Sequence, residues 1–333
     1  MVSSWSRPTF NLNLGAWRRM RRTYDDPVAP LLNVRFRTAG VLFSALDRLQ
    51  ESLFGDALDR LQVKPPVFIL GHWRSGTTLL HELLGLDPSF LSPSTFECFN
   101  PHHFLLSSAS QLAEAQQTVV RPTGDLVVRA SSPQEEEFAL LCRGAVSPYE
   151  AFLFPEALGT LDKLCDPDQF GEAGARAWDR TLVSFLKGVC YSRGRDKRLL
   201  LKSPTNSFRV ARLQKLFPEA TFVTLVRESE AVFRSTLAMW EKMWDRYAVG
   251  GLCNGPLWRD RHVLSKPCWK RSLRRPRGSC LQIGTQLPDM KILSLTHSVP
   301  SHEYTNYWIW AIPPDYFPSS KSIYQALKGP AFV

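Results

Sequence analysis

The chain has 333 residues, of which 44% are hydrophobic and 22% charged, with a formal net charge of +10. That length supports a substantial buried core, in one large domain or two small ones, and the composition is that of a soluble globular protein. The charge is uneven: from residue 251 onward 11 Lys and Arg stand against 4 Asp and Glu, a balance of +7 that leaves +3 for everything before it. An argument for an anionic partner drawn from net charge therefore concerns the tail. The arginines at 18, 19, 21 and 22 are followed by no apolar run of signal-peptide or membrane-spanning length, so a cytoplasmic protein without a membrane span is expected. Seven cysteines without a CxxC pair suit reduced thiols better than a disulfide framework.

In chain order, apolar residues at helical spacing between Leu31 and Leu61 predict one or two amphipathic helices. Lys64, Pro65 and Pro66 end that pattern. The continuous apolar run from Val67 to Leu70 suits a buried parallel strand, and a turn over Gly71 to Gly76 leads into a helix beginning at Thr77. A Ser-, Pro- and Phe-rich stretch follows, with one helical pattern over Ala109 to Val119. Pro133 followed by Glu135, Glu136 and Glu137 predicts a helix running to Cys142. Further on come a helix over Ala173 to Tyr191, a strand over Arg198 to Lys202, and a helix over Asn206 to Phe217. A strand over Thr221 to Val226 and a helix over Ser229 to Tyr247 complete the series. Strand and helix in alternation predict an α/β fold with a parallel sheet flanked by helices. After Val249 periodicity fades, and only short strands over Met290 to Thr296 and Tyr307 to Ile312 are suggested. Three regions are expected: an N-terminal helical segment over residues 1–62, a core over 63–250, and a divergent basic tail over 251–333.

Gly71, Gly76, Thr77 and Thr78 have the spacing of a Walker phosphate loop, except that Thr77 stands where a nucleoside triphosphatase carries Lys. Without that Lys, hydrolysis of ATP or GTP is disfavoured. The backbone N–H groups of Ser75 to Thr78 and the start of the helix still form an anion cradle, and Arg74 can supply a cation.

The segment from Phe68 to Leu80 resembles the 5′-phosphosulfate loop of sulfotransferases that use 3′-phosphoadenosine 5′-phosphosulfate (PAPS). The segment from Leu225 to Ser235 resembles that family's second motif, in which an Arg at a strand end and a Ser eight residues later hold the donor's 3′-phosphate; here these are Arg227 and Ser235. Leu201-Lys202-Ser203-Pro204 at a strand end is similar to a segment of bacterial-type members. The resemblance covers about half the chain, roughly Pro65 to Met243. It implies a P-loop NTPase-like architecture, PAPS as cosubstrate, no metal, and a hydroxyl acceptor that could be a small molecule, carbohydrate, lipid or peptide. It further implies that Arg74 stabilises the leaving group, that Ser75, Gly76, Thr77 and Thr78 hold the 5′-phosphate, and that Lys202 points into the same cleft. Glu97 is the candidate base; His72, His102, His103 and Glu135 to Glu137 are alternatives.

Plainer roles compete. The three glutamates suit a first helical turn through the helix dipole alone, and His102 and His103 suit a turn. The basic run Lys266 to Arg277, with Trp258 and Trp269 near it, reads as solvated charge more readily than as a nucleic-acid site. No Cys and His group has zinc-ligand spacing. A P-loop phosphotransferase and a non-catalytic nucleotide-binding protein are the competing functions. The tail lacks the Tyr-Glu-Asp type segment with which relatives close the sheet, and its abrupt change of composition suits a non-native ending, such as a shifted reading frame, that would impair activity.

Overall fold

The computed structural model describes residues 10–107, 119–120, 127–227, 229–249, 292–297 and 305–310. Its strands are β1 (Val67–Leu70), β2 (Phe90–Leu91), β3 (Val119–Val120), β4 (Val127–Val128), β5 (Arg198–Lys202), β6 (Thr221–Val226), β7 (Ile292–His297) and β8 (Thr305–Trp310). The chain divides into two compact units. One gathers residues 63–92, 196–236 and 271–333, and the other gathers 1–62, 93–195 and 237–270.

The first unit is built on a sheet of order β2-β5-β1-β6-β8-β7. Strands β2, β5, β1 and β6 run parallel, as the alternation of strands and helices predicts. In register, Ile69 lies opposite Lys202 and Leu70 opposite Thr224, so β1, β5 and β6 end along one edge. Every residue of β1 is buried because both of its faces are covered. Val67 and Ile69 join Leu80, Leu84, Leu200, Val223 and Leu225 in one apolar cluster. Phe68, pointing the other way, stacks on Phe222 with ring centroids 5.4 Å apart. The strands suggested in the tail form β7 and β8; β8 pairs antiparallel with β6 through Leu225 opposite Ile309 and Val226 opposite Trp308. The rest of the tail, including the basic run and Trp258 and Trp269, lies outside the described residues, as does the helical pattern expected over Ala109 to Val119 apart from Val119, which is in β3.

The second unit is mainly helical. A single 30-residue helix, Pro30–Asp59, occupies the stretch where one or two were expected, with Pro at its first turn. Before it lies a helix that periodicity did not flag, Leu14–Thr23, capped by Asn13 Oδ1 accepting from the Ala16 N–H at 2.7 Å. Gly40 lets the two helices approach closely, since a Cβ there would stand 3.0 Å from the Leu14 backbone. Trp17 stacks on Phe36 across the same crossing, centroids 4.3 Å apart. The helix Gly171–Arg193 extends the expected one by two residues at each end. The helix expected from Pro133 begins only at Glu137. The reason is backbone pairing: Gln134 N–H donates to Pro93 O at 2.8 Å and Thr95 N–H to Ser132 O at 2.8 Å, which ties 132–134 to the segment around Ser94 and keeps it out of the helix. Cys98, Cys142, Cys165 and Cys190 are free and buried.

At the heart of this unit Glu150 is fully buried and held by four donors. Arg19 approaches it in fork geometry at 2.8 and 3.0 Å, Tyr24 OH at 2.9 Å and the Ser147 N–H at 3.1 Å. Burial, with the carboxylate beside it, raises the Tyr24 phenol far above its ordinary range, so it acts as a donor at all working pH values. Removing Arg19 would leave a buried charge with only neutral partners. Arg19→Ala should therefore lower unfolding free energy by about 3 kcal/mol, read from the urea midpoint; a change within error would show that Glu150 does not depend on the guanidinium.

Candidate functional site

In the sheet unit, β1 ends in a loop that only particular residues can form. Gly71 has φ 153°, and a Cβ there would stand 2.7 Å from Thr77 Cγ2 and 2.8 Å from both Leu225 O and Ser75 Oγ. Arg74, at φ 65°, is the only non-glycine with positive φ among the described residues, and Gly76 follows at φ 96°. Left-handed residues flanking Ser75 form a tight turn at the start of the Thr77–Leu84 helix, a candidate nest for an anion. A non-glycine held in that region stores strain, which the surroundings must overdetermine.

Several bonds do so. Ser75 donates to His72 O through its hydroxyl at 2.7 Å and its N–H at 3.2 Å. Gly71 N–H donates to Ser207 Oγ at 2.9 Å, and Ser207 Oγ donates to Gly71 O at 3.3 Å. The buried Thr236 hydroxyl lies 3.2 Å from Trp73 O. Ser207 and Thr236 were not singled out from sequence. The signal for Thr236 was its place beside Ser235 in the second motif, whereas nothing local marks Ser207. Its hydroxyl is available because the expected Asn206 to Phe217 helix is split: a 3-10 turn, Pro204–Phe208, opens on Pro204, and the α-helix Val210–Leu216 starts after Arg209.

The sequence-predicted residues of the two motifs converge on this loop. Arg74 Nε donates to Ser235 Oγ at 2.9 Å. Arg227 Nη1 donates to Arg74 O at 3.2 Å. From the end of β5, Lys202 donates to Thr78 Oγ1 at 3.2 Å, the residue being 2% exposed. Beside it Ser203 Oγ is fully buried and has no hydrogen-bond partner among the described residues. An ammonium so withdrawn from water suits a site that receives an anion. The set joins three cations, Arg74, Arg227 and Lys202, to neutral hydroxyls, donors that suit a phosphate or sulfate. Among the described residues no group of His, Cys, Asp and Glu is placed to hold a metal ion.

Glu97 belongs to the helical unit. It is the third residue of the short helix Thr95–Phe99 and closes a capping box with Ser94, whose N–H and hydroxyl both donate to Oε2 at 2.7 Å. Its Oε1 accepts from Arg193 Nε at 2.9 Å and from Ser192 Oγ at 3.3 Å. The alternatives to Glu97 are likewise engaged. His102 is fully buried with Nε2 2.9 Å from Asn11 O, His103 Nδ1 lies 3.0 Å from Ser107 Oγ, and Tyr149 OH donates to Glu135. Glu136 and Glu137 are buried at the N-terminal end of the Glu137–Cys142 helix, with Glu137 in its first turn as the dipole reading expects.

His72 lies in the loop itself. Burial pushes its imidazole down to about 4, against a smaller upward effect of the Trp73 carbonyl 2.9 Å from Nδ1. At neutral pH it is uncharged, so Nδ1–H donates to that carbonyl. Because the folded-state value lies below the unfolded one of 6.5, the unfolded chain binds the extra proton between them. Stability is complete above about 6.5 and falls as pH drops toward about 4, by on the order of 3 kcal/mol. In His72→Gln this dependence should be flatter, as measured by urea midpoints across that window; an identical slope would remove His72 as its source.

The description "Sulfotransferase family" matches residues 65–271. The chain is 33% identical over 254 residues to the Omega-hydroxy-beta-dihydromenaquinone-9 sulfotransferase Stf3 of Mycobacterium bovis and of Mycobacterium tuberculosis. The alignment takes in 74% of this chain and 64% of each relative. The crystal structure of sulfotransferase STF1 from Mycobacterium tuberculosis H37Rv matches with a TM-score of 0.54 at 19% identity, covering 78% of this chain and 73% of that one, a likeness of fold.

Proposed function

The chain belongs to the sulfotransferase family, and we propose that it transfers a sulfuryl group from PAPS to a hydroxyl acceptor by in-line displacement. The observation that carries this reading is the bond from Arg74 to Ser235, reinforced by Arg227 on the Arg74 carbonyl, which joins the two phosphate motifs around one loop. When bound, PAPS would supply an activated sulfuryl group whose leaving phosphate gathers negative charge as the bond to sulfur breaks.

In this reading Gly76, Thr77 and Thr78 hold the 5′-phosphate through N–H groups and hydroxyls, and Ser75 shapes the nest through its two bonds to His72 O. Arg227 and Ser235 hold the 3′-phosphate. Arg74 and Lys202 sit where the leaving-group charge grows, and Lys202 counts for more because it is shielded from water. Thr77 in place of the Walker Lys speaks against the phosphotransferase alternative. The acceptor is proposed to be a lipid-like hydroxyl, because the 33%-identical relatives are named for a hydroxylated menaquinone.

The test is transfer of label from PAPS to an acceptor panel that includes hydroxylated isoprenoid quinones. Arg74→Ala should lower kcat on the order of 10²- to 10³-fold, the range for losing a positioned transition-state donor. Unaltered transfer in that variant would remove the mechanism. Saturable binding of 3′,5′-phosphoadenosine without transfer to any acceptor would instead favour a nucleotide-binding protein.

Glu97 is the proposed base. Glu97→Gln preserves the acceptor that the capping box uses at that position while removing the ionisable group. We expect kcat to fall on the order of 10²-fold with affinity for 3′,5′-phosphoadenosine intact. Retained kcat with a lowered melting temperature would confine Glu97 to stabilising the Thr95–Phe99 helix.

A further inference from the structure

The Pro30–Asp59 helix buries Phe36, Gly40, Gln50 and Leu58 on one face. On the opposite face Leu31, Val34, Val41, Leu42, Leu49 and Leu53 are each between 49% and 62% exposed. At 100° per residue these six fall within one sector, a stripe about 33 Å long. Single exposed leucines are ordinary; six aligned on one helix are a surface looking for an apolar partner.

The charges around the stripe identify the partner. Arg37 and Arg48 are exposed along its edge, and Arg18 and Arg22 are exposed on the neighbouring Leu14–Thr23 helix. Between residues 30 and 50 the one acid is Asp47, and it is turned toward Arg143 and His102. The exposed acids of this helix are confined to its C-terminal end, at Glu51, Asp56 and Asp59, and Asp25 is exposed ahead of its first turn. Continuous with the stripe, a groove of about 350 Å³ is lined by Leu14, Gly15, Val41 and Ala45, with Arg18 and Arg48 at its walls. Apolar floor and guanidinium rim together match the acyl boundary and the anionic headgroups of a bilayer. No helix of the described residues is long and apolar enough to cross a membrane, so the fitting mode is a helix lying in the interface plane.

We propose that the exposed face of the Pro30–Asp59 helix, with the arginines beside it, docks this protein on an anionic membrane surface. The proposal does not depend on the reaction proposed above, because its readout is binding and not turnover.

The experiment is flotation of the full chain with vesicles of equal parts phosphatidylglycerol and phosphatidylcholine, beside pure phosphatidylcholine, at low and high salt. The wild type should float with the anionic vesicles, less so at high salt, and weakly with neutral ones. Arg37→Glu with Arg48→Glu should cut partitioning about tenfold or more, the effect of losing cations held at an anionic surface. Leu42→Ser with Leu49→Ser should cut it comparably at every salt concentration. These side chains are exposed, so unchanged circular dichroism melts should accompany both variants. Wild type that stays with the soluble fraction at low salt overturns the proposal without recourse to any variant. So does a dimer in solution that Leu42→Ser with Leu49→Ser converts to monomer, since the face would then belong to a second copy of the chain.

Discussion

Parallel pairing of β5, β1 and β6 is the constraint on which the site depends. Parallel strands in register must all end along the same edge, and here each end delivers a residue of the proposed site. Gly71 and the nest follow β1, Lys202 closes β5, and Arg227 follows β6. Residues more than 150 positions apart in sequence, such as Arg74 and Arg227, meet because hydrogen-bond register leaves them no other place. The close approach of β6 also explains why Gly71 cannot carry a side chain, since the Leu225 carbonyl fills that space.

The same arrangement places one cation, Lys202, where little water can reach it. An ammonium as withdrawn as that of Lys202 loses hydration energy, which its hydrogen-bond partners must return. The Thr78 hydroxyl returns part of that loss. Strain at Arg74 has the same character: a residue in a left-handed conformation is retained because its guanidinium then reaches Ser235 while its carbonyl meets Arg227. Site geometry and marginal stability are two aspects of one loop.

Local pattern carried much of this. The apolar run of β1, the strand limits at Arg198 and Lys202 and at Thr221 and Val226, and the Ser229–Tyr247 helix were all legible, because each is long or bounded by strong turn residues. What escaped had non-local causes. The Leu14–Thr23 helix was hidden by its arginines, and its signal lay in Asn13 as a cap and in the spacing of Trp17 and Met20. The late start at Glu137 depends on pairing between residues 132–134 and the segment before Phe96, which no window along the chain contains. Ser207 was illegible for the same reason: its importance lies in a contact across 136 positions. Glu97 was noticed for its position after the loop, yet its capping box with Ser94 was also written in the sequence as Ser followed three residues later by Glu.

The buried thiols of the helical unit have a further consequence. Burial raises Cys98 well above the ordinary thiol range, Cys142 to about 12 and Cys190 to about 11. Since the thiolate is the reactive species, these sulfurs are chemically silent while the unit is closed and become reactive when it opens. The protein thus carries its own clock for local unfolding: the rate at which an alkylating reagent finds these cysteines counts the openings of the helical unit, residue by residue, with no label introduced.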